Sequence, residues 1–153
     1  MQIYLIRHAH AEDGVDDALR PLSAKGRRQI GKMAAHLKQG GLLQTEEFWH
    51  SPLVRARRTA ELLAGRLLGQ ARFVEVAGLA PGADPAMLAL RLNGCRRPVA
   101  LVGHEPHLST LATLLVAGRV TAPAVVMKKC AVLALKRTGS RWAVRWLLSP
   151  GEI

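Results

Sequence analysis

The chain opens Met1-Gln2-Ile3-Tyr4-Leu5-Ile6-Arg7-His8-Ala9-His10-Ala11-Glu12, and how this stretch is read decides the fold. Residues 3–6 form a short apolar run of β-branched, aromatic and aliphatic side chains, the composition of a strand buried within a sheet. The run passes without a spacer into Arg7 and His8. A buried strand that ends this way aims both side chains at one point. In an open α/β sheet that point lies beyond the carboxyl ends of the strands, where loops and helix N-termini converge and ligands bind.

Working outward, the same device recurs twice. Residues 47–50 read as a short strand carrying Phe48 and Trp49, and they run into Ser51-Pro52 with Arg55 close behind. Pro98 opens the wholly apolar run Val99-Ala100-Leu101-Val102, the pattern of an interior strand covered on both faces, and it ends in Gly103-His104. Between these runs lie helical patterns. Ser23 caps a helix in which Ile30, Met33, Ala34 and Leu37 keep i, i+3, i+4, i+7 spacing, with Gly40-Gly41 as its stop. Pro52 fits the first turn of a second helix over residues 53–68. Residues 72–76 read as a strand, 78–85 as a loop and 85–92 as a helix. Pro106 starts a further helix with Leu108, Leu111, Ala112 and Leu115 on one face. Residues 130–148 give two strand-like runs around Thr138-Gly139-Ser140, a hairpin expected to supply antiparallel edge strands. The alternation predicts an α/β three-layer sandwich: a mostly parallel sheet, helices on both faces and an antiparallel C-terminal hairpin.

Composition sets the outer bounds. The chain has 153 residues with 49% hydrophobic content, which predicts a single domain over residues 1–153 with a core of its own. The N-terminus lacks the pattern of a signal peptide and no apolar run reaches the roughly 20 residues of a membrane span, so a cytoplasmic location and no membrane partner are expected. Cys95 and Cys130 form no CxxC and have no nearby ligand at metal-binding spacing, which predicts two reduced thiols. Twenty-two Lys and Arg against eleven Asp and Glu leave a formal charge of +11. The basic residues come as scattered pairs and triplets and only six aromatics are present to stack on bases, which favours a general attraction to anions over nucleic-acid binding.

Arg7, His8, Arg55 and His104, placed around one spot, describe a phosphoryl site. Two guanidinium forks hold the oxygens of a tetrahedral dianion and a second histidine adds a hydrogen bond. A neutral His8 imidazole is a competent nucleophile toward phosphorus, and nearby arginines help keep it neutral. Arg57 and Arg58 read as solvated or substrate-steering charge, and His10 and His107 need no role.

These residues resemble a known family. Leu5-Ile6-Arg7-His8-Ala9 is similar to the RHG signature of the histidine phosphatase superfamily, which has the phosphoglycerate-mutase-like fold. Ser51-Pro52-Leu53-Val54-Arg55-Ala56-Arg57-Arg58-Thr59-Ala60 is similar to its S-P-x-x-R-A-x-x-T-A segment, and Val102-Gly103-His104-Glu105-Pro106 to its second-histidine segment. The short chain, Arg20-Pro21-Leu22-Ser23 with Gly26, and the run from Gly103 to Ser109 resemble the SixA-type phosphohistidine phosphatases. The resemblance implies that His8 is the phospho-accepting nucleophile, that Arg7 and Arg55 bind phosphate and that His104 steadies the transferring group. It leaves Arg20 between lining the pocket and bracing the helix entry. Two departures stand out: Ala9 replaces the glycine of RHG, and residues 78–84 lack the glutamate acid of larger members, which leaves Glu12, Asp84 and Glu105 as candidate proton donors.

The expected activity is a metal- and cofactor-free phosphatase that dephosphorylates phosphohistidine in a partner protein, such as a histidine phosphotransfer domain, through a covalent phosphohistidine. The alternatives are a phosphatase of small phosphate esters and, in a different class, a basic nucleic-acid-binding module with a vestigial site.

Overall fold

The computed structural model describes residues 1–120 and 122–153. Six strands, β1 Gln2–Arg7, β2 Glu47–His50, β3 Arg72–Glu75, β4 Val99–Gly103, β5 Val132–Thr138 and β6 Arg141–Leu148, make one sheet in the order β3-β2-β4-β1-β5-β6. The neighbours from β3 to β1 pair in parallel, while β1 with β5 and β5 with β6 pair antiparallel. Four helices, α1 Ala24–Gly40, α2 Val54–Leu67, α3 Pro85–Gly94 and α4 His107–Ala117, connect them.

The two sides of the sheet bury different side chains of the same strands. Tyr4, Ile6, Phe48, Ala100 and Val102 pack with Ile30, Met33 and Leu37 of α1 and with Ala56, Ala60 and Leu63 of α2. Ile3, Leu5, Trp49, Val99 and Leu101 face the other way, onto Leu88 and Leu92 of α3 and Leu108 and Leu111 of α4. A strand covered on both faces gains from apolar residues at every position, at about 1.5–3 kcal/mol for each large side chain removed from water, so β1 and β4 show no alternation. The three-layer α/β architecture is the one the alternation predicts.

Three details differ from the sequence reading. β5 is not an edge strand: it lies between β1 and β6, and its first four residues are buried. The edges are β6 and the largely exposed β3. Pro52 sits outside α2, ahead of the Leu53 N-cap, where its lack of an N–H costs the helix nothing. Residues 78–85 are not wholly loop, since the 3-10 turn Ala77–Leu79 runs into them, just as the loop before α1 holds a 3-10 turn, Asp17–Leu19, capped by the Asp16 side chain.

That loop is anchored by its far end. The Ser23 hydroxyl caps α1 by accepting the Gly26 amide at 3.0 Å, and the Ser23 amide donates to the His10 carbonyl at 3.1 Å. Gly26 is required here, since a Cβ on it would stand 2.0 Å from the His10 carbonyl oxygen. The sequence after β1 is thereby clamped to the start of α1, and residues 13–20 arch over the carboxyl end of the sheet.

Candidate active site

Strand register places the first histidine against the second. Because Ile6 pairs with Val102 and Arg7 with Gly103 in parallel, the residues that follow, His8 and His104, emerge side by side. The His8 amide donates to the Gly103 carbonyl at 3.0 Å, and the two imidazole centroids lie 5.0 Å apart. On the other flank of β4 the Ser51 amide donates to the Val102 carbonyl at 3.0 Å, so Ser51 joins the same row. Arg55 enters from the first turn of α2 and is only 6% exposed. Thr59 fixes that turn to the strand end: its hydroxyl donates to the Arg55 carbonyl at 2.7 Å and accepts the Ala9 amide at 3.0 Å.

The partners of the His8 ring settle its tautomer. Nδ1 lies 2.7 Å from the Ala9 carbonyl, which only accepts, so Nδ1 carries the proton. Arg55 Nε–H donates to Nε2 at 3.3 Å, so Nε2 holds its lone pair outward, and Lys129 Nζ stands 3.5 Å from the same atom. Burial pushes the His8 pKa down to about 2; the charges of Lys129 and Arg55 and the neighbouring His104 add to the shift, and the Ala9 carbonyl opposes it. A ring held neutral, with an unprotonated nitrogen facing cations, has the electronic form of a nucleophile.

The remaining predicted residues lie at or near the same strand ends. Arg7 donates from one terminal nitrogen to the Met127 carbonyl at 2.8 Å, while its Nε is buried without a protein partner. His104 Nε2 is 2.8 Å from the Ser51 hydroxyl, and its Nδ1 is likewise buried and unpartnered. Burial, and then the charge of Arg55, lowers the His104 pKa to about 4, so this ring too is neutral at pH 7. Among the described residues these two buried nitrogens have no partner, and such groups suit a ligand rich in acceptor oxygens. Arg20 stands at the rim. Its Nε donates to the Glu12 carbonyl at 2.8 Å and its terminal nitrogen to the Asp17 carboxylate at 3.1 Å, so it braces the arching loop, and its charge reaches Lys129.

Of the candidate acids two hold backbone amides and one faces solvent, and Glu105 is also close enough to Arg7 for its charge to act on that guanidinium. Asp84 caps α3 by accepting the Ala86 amide, Glu105 accepts the Ser109 amide in the first turn of α4, and Glu12 is exposed. His10 Nδ1 contacts the Ser23 hydroxyl at 2.7 Å and so belongs to the loop clamp rather than to the His8 cluster. His107 is buried near Gly78, and close enough to His104 to act on its charge.

Two participants are absent from the sequence reading. Asp17 binds Arg55 twice, through its carbonyl at 2.7 Å and its carboxylate at 3.2 Å, and hydrogen bonds from Arg20 and Arg55 lower its pKa. Nothing in the polar run of residues 13–21 marks it out. Lys129 had a signal that depended on topology: once β5 lies against β1 with Ile6 opposite Val132, the residues just before β5 fall beside His8. The Cys130 amide donates to the His8 carbonyl at 3.2 Å.

Among the described residues no group of three or more His, Cys, Asp or Glu side chains is placed to hold a metal ion, and no helix is long and apolar enough to cross a membrane. Cys95 and Cys130 are free thiols.

Comparison with known proteins bears on the family and the fold. An uncharacterized protein of Picosynechococcus sp. is 38% identical over 148 residues, covering 92% of this chain and 88% of the relative. Among solved structures the fold is similar to a protein histidine phosphatase SixA complexed with tungstate, at TM-score 0.86 and 23% identity over 99% of this chain and 98% of that one. It is also similar to an alpha-ribazole-5'-P phosphatase of Escherichia coli (TM-score 0.80, 18% identity, 98% of both chains) and to a phosphohistidine phosphatase SixA of Agrobacterium tumefaciens (TM-score 0.77, 22% identity, 98% of both chains). The family model for the histidine phosphatase superfamily (branch 1) matches residues 3–80, which hold Arg7, His8, Ser51 and Arg55, and the chain belongs to that superfamily.

Proposed function

We propose that this chain is a phosphohistidine phosphatase that works through a covalent intermediate on His8 and acts on a phosphorylated partner protein, such as a histidine phosphotransfer domain. The observation that carries the reading is the His8 ring itself: Nδ1–H is spent on the Ala9 carbonyl and the Nε2 lone pair faces Arg55 Nε at 3.3 Å. In the first step the Nε2 pair attacks phosphorus, the bond from phosphorus to the leaving nitrogen breaks, and the departing imidazole keeps the electron pair and takes up a proton. In the second step water attacks phosphorus, the P–Nε2 bond breaks and its pair returns to His8, releasing phosphate. Arg7 and Arg55 offset the charge of the transferring group. If the Ser51 hydroxyl donates to His104 Nε2, 2.8 Å away, the His104 proton sits on Nδ1 and can serve a phosphoryl oxygen.

Leaving-group chemistry supports phosphohistidine over esters. Expelling an alkoxide calls for a strong acid, worth typically 10²–10⁴-fold, whereas an imidazole with a reference pKa near 6.5 is protonated before it leaves. Glu12, Asp84 and Glu105 are occupied or exposed. Asp17 lies nearer, but two arginines hold it ionised. The test is kcat/KM for a phosphohistidine protein against 3-phosphoglycerate and a phosphoserine peptide, all with EDTA present. The phosphohistidine protein should lead by at least ~10²-fold, with no loss on chelation. A preference for either ester would make this a small-molecule phosphatase, and a requirement for added metal would overturn the cation-only site. No turnover, together with nucleic-acid binding that falls steeply with salt, would favour the basic binding module.

A further inference from the structure

We propose that Lys129 is a catalytic residue of this site, its ammonium group binding an oxygen of the phosphoryl group as that group forms its bond to His8 Nε2. The inference rests on the phosphatase reading above and adds a ligand to it.

The geometry comes from two independent parts of the chain. Lys129 Nζ is 3.5 Å from His8 Nε2, the same atom that Arg55 approaches at 3.3 Å. A group bonded to Nε2 must pass between or beside these two cations, within contact distance of both. The backbone holds the lysine in place at a cost. Cys130 takes φ +61, a left-handed conformation that a residue with a Cβ disfavours, and such strain persists where surrounding structure enforces it. Here the enforcing bonds are Cys130 N–H to the His8 carbonyl and Ala131 N–H to the Lys128 carbonyl at 3.0 Å. This tight turn buries the Cys130 side chain, leaves Lys128 outside on Glu152 at 3.3 Å and places Lys129 at His8.

Lysine differs from the two arginines in one respect that an experiment can read. Facing Lys129 are Arg7 from β1, Arg55 from α2, Arg20 from the arching loop and the neutral ring of His8; Asp17, the acid of that loop, is committed to Arg55 and Arg20. Burial and the three guanidinium charges bring the Lys129 pKa down to about 8. Its charge is therefore present at pH 7 and lost at pH 9, while the arginines stay charged. A bound dianion reverses part of this shift, so the loss should appear in the binding of free protein to ligand and in kcat/KM, and at higher pH in kcat.

Tungstate, a tetrahedral dianion across this pH range, separates the inference from the reading beneath it. Its affinity is measured by titration calorimetry from pH 6.5 to 10 for the wild-type chain and for Lys129→Met, Lys129→Arg and Lys128→Met, alongside phosphohistidine turnover. Wild-type affinity should fall as pH rises through about 8. Lys129→Met should weaken binding at pH 7 on the order of 10–100-fold and remove that pH dependence. Lys129→Arg should restore most of the affinity and keep it at alkaline pH, and Lys128→Met should match the wild type. Equal affinity in wild type and Lys129→Met, or an unchanged alkaline fall in Lys129→Arg, overturns the role of Lys129. Lys129-dependent tungstate binding without turnover would instead overturn the phosphatase reading and leave the anion-binding role standing.

Discussion

A His8→Ala chain will fold and will not turn over. Loss of a covalent nucleophile typically costs on the order of 10⁴–10⁶-fold, because the remaining groups bind a transition state that the enzyme no longer forms with it. The chemical trace should agree: rapid quenching of the wild type during turnover should trap phosphate in an acid-labile, base-stable linkage at residue 8, absent in the variant. Activity in His8→Ala comparable to wild type would refute the assignment. The variant should also show a second difference, in acid. His8 has a folded-state pKa of about 2 against an ordinary 6.5, so the unfolded chain takes up this proton first as pH falls. The stability gained from a neutral His8 is complete above pH 6.5, and below it the protein loses about 1.4 kcal/mol per pH unit through this group. Removing the histidine removes that drain. Urea midpoints at pH 7 and pH 4.5 should therefore lie closer together in His8→Ala than in wild type.

Arg55→Ala should lower kcat/KM on the order of 10²–10³-fold, as does the loss of a single preorganised charge-stabilising donor elsewhere, while Arg57→Ala and Arg58→Ala stay within roughly threefold of wild type. The three arginines lie within four residues on one helix, yet each step around α2 turns the side chain by about 100°. Arg55 points inward to His8 and Asp17. Arg57 and Arg58 point outward and share Glu61, at 3.8 and 2.6 Å, with side chains 49% and 41% exposed. Steady-state kinetics of the three variants decides the matter. Equal losses at all three positions would mean that overall positive charge, rather than a directed contact, draws the substrate.

The sequence made the parallel half of this molecule legible and the antiparallel half less so, for a physical reason. β1 and β4 are buried on both faces, so they appear as unbroken apolar runs, and the polar residue that ends each run is at the site. Arg7, His8 and His104 could be read because each ends or directly follows a strand, and Arg55 because it opens the helix after β2. Lys129 precedes a strand, and only the antiparallel pairing of β5 with β1 turns the start of β5 toward the ends of the others. The hairpin pattern of residues 130–148 specifies that β5 pairs with β6; it does not say that the other side of β5 finds β1. Asp17 is less accessible still, since a surface loop carries no periodicity and its partners come from Arg20 and from Arg55, 38 residues away.

The position of β1 bears on how the chain is made. β1, made before the other five strands of this sheet, is flanked on both sides by strands from late in the sequence, residues 99–103 and 132–138. At 5–20 residues per second, roughly 6–26 s pass between synthesis of β1 and synthesis of its second neighbour. Until β4 is made the apolar segment has no native partner, and until β5 follows one of its hydrogen-bonding edges stays open, which is the condition under which strands pair with the wrong chain and recruit chaperones. The segment that carries the nucleophile thus waits for residues 132–138 before both its edges are covered. Ribosome-bound chains ending before residue 132 should be cleaved readily by protease within their first strand, and chains extended past β6 should resist.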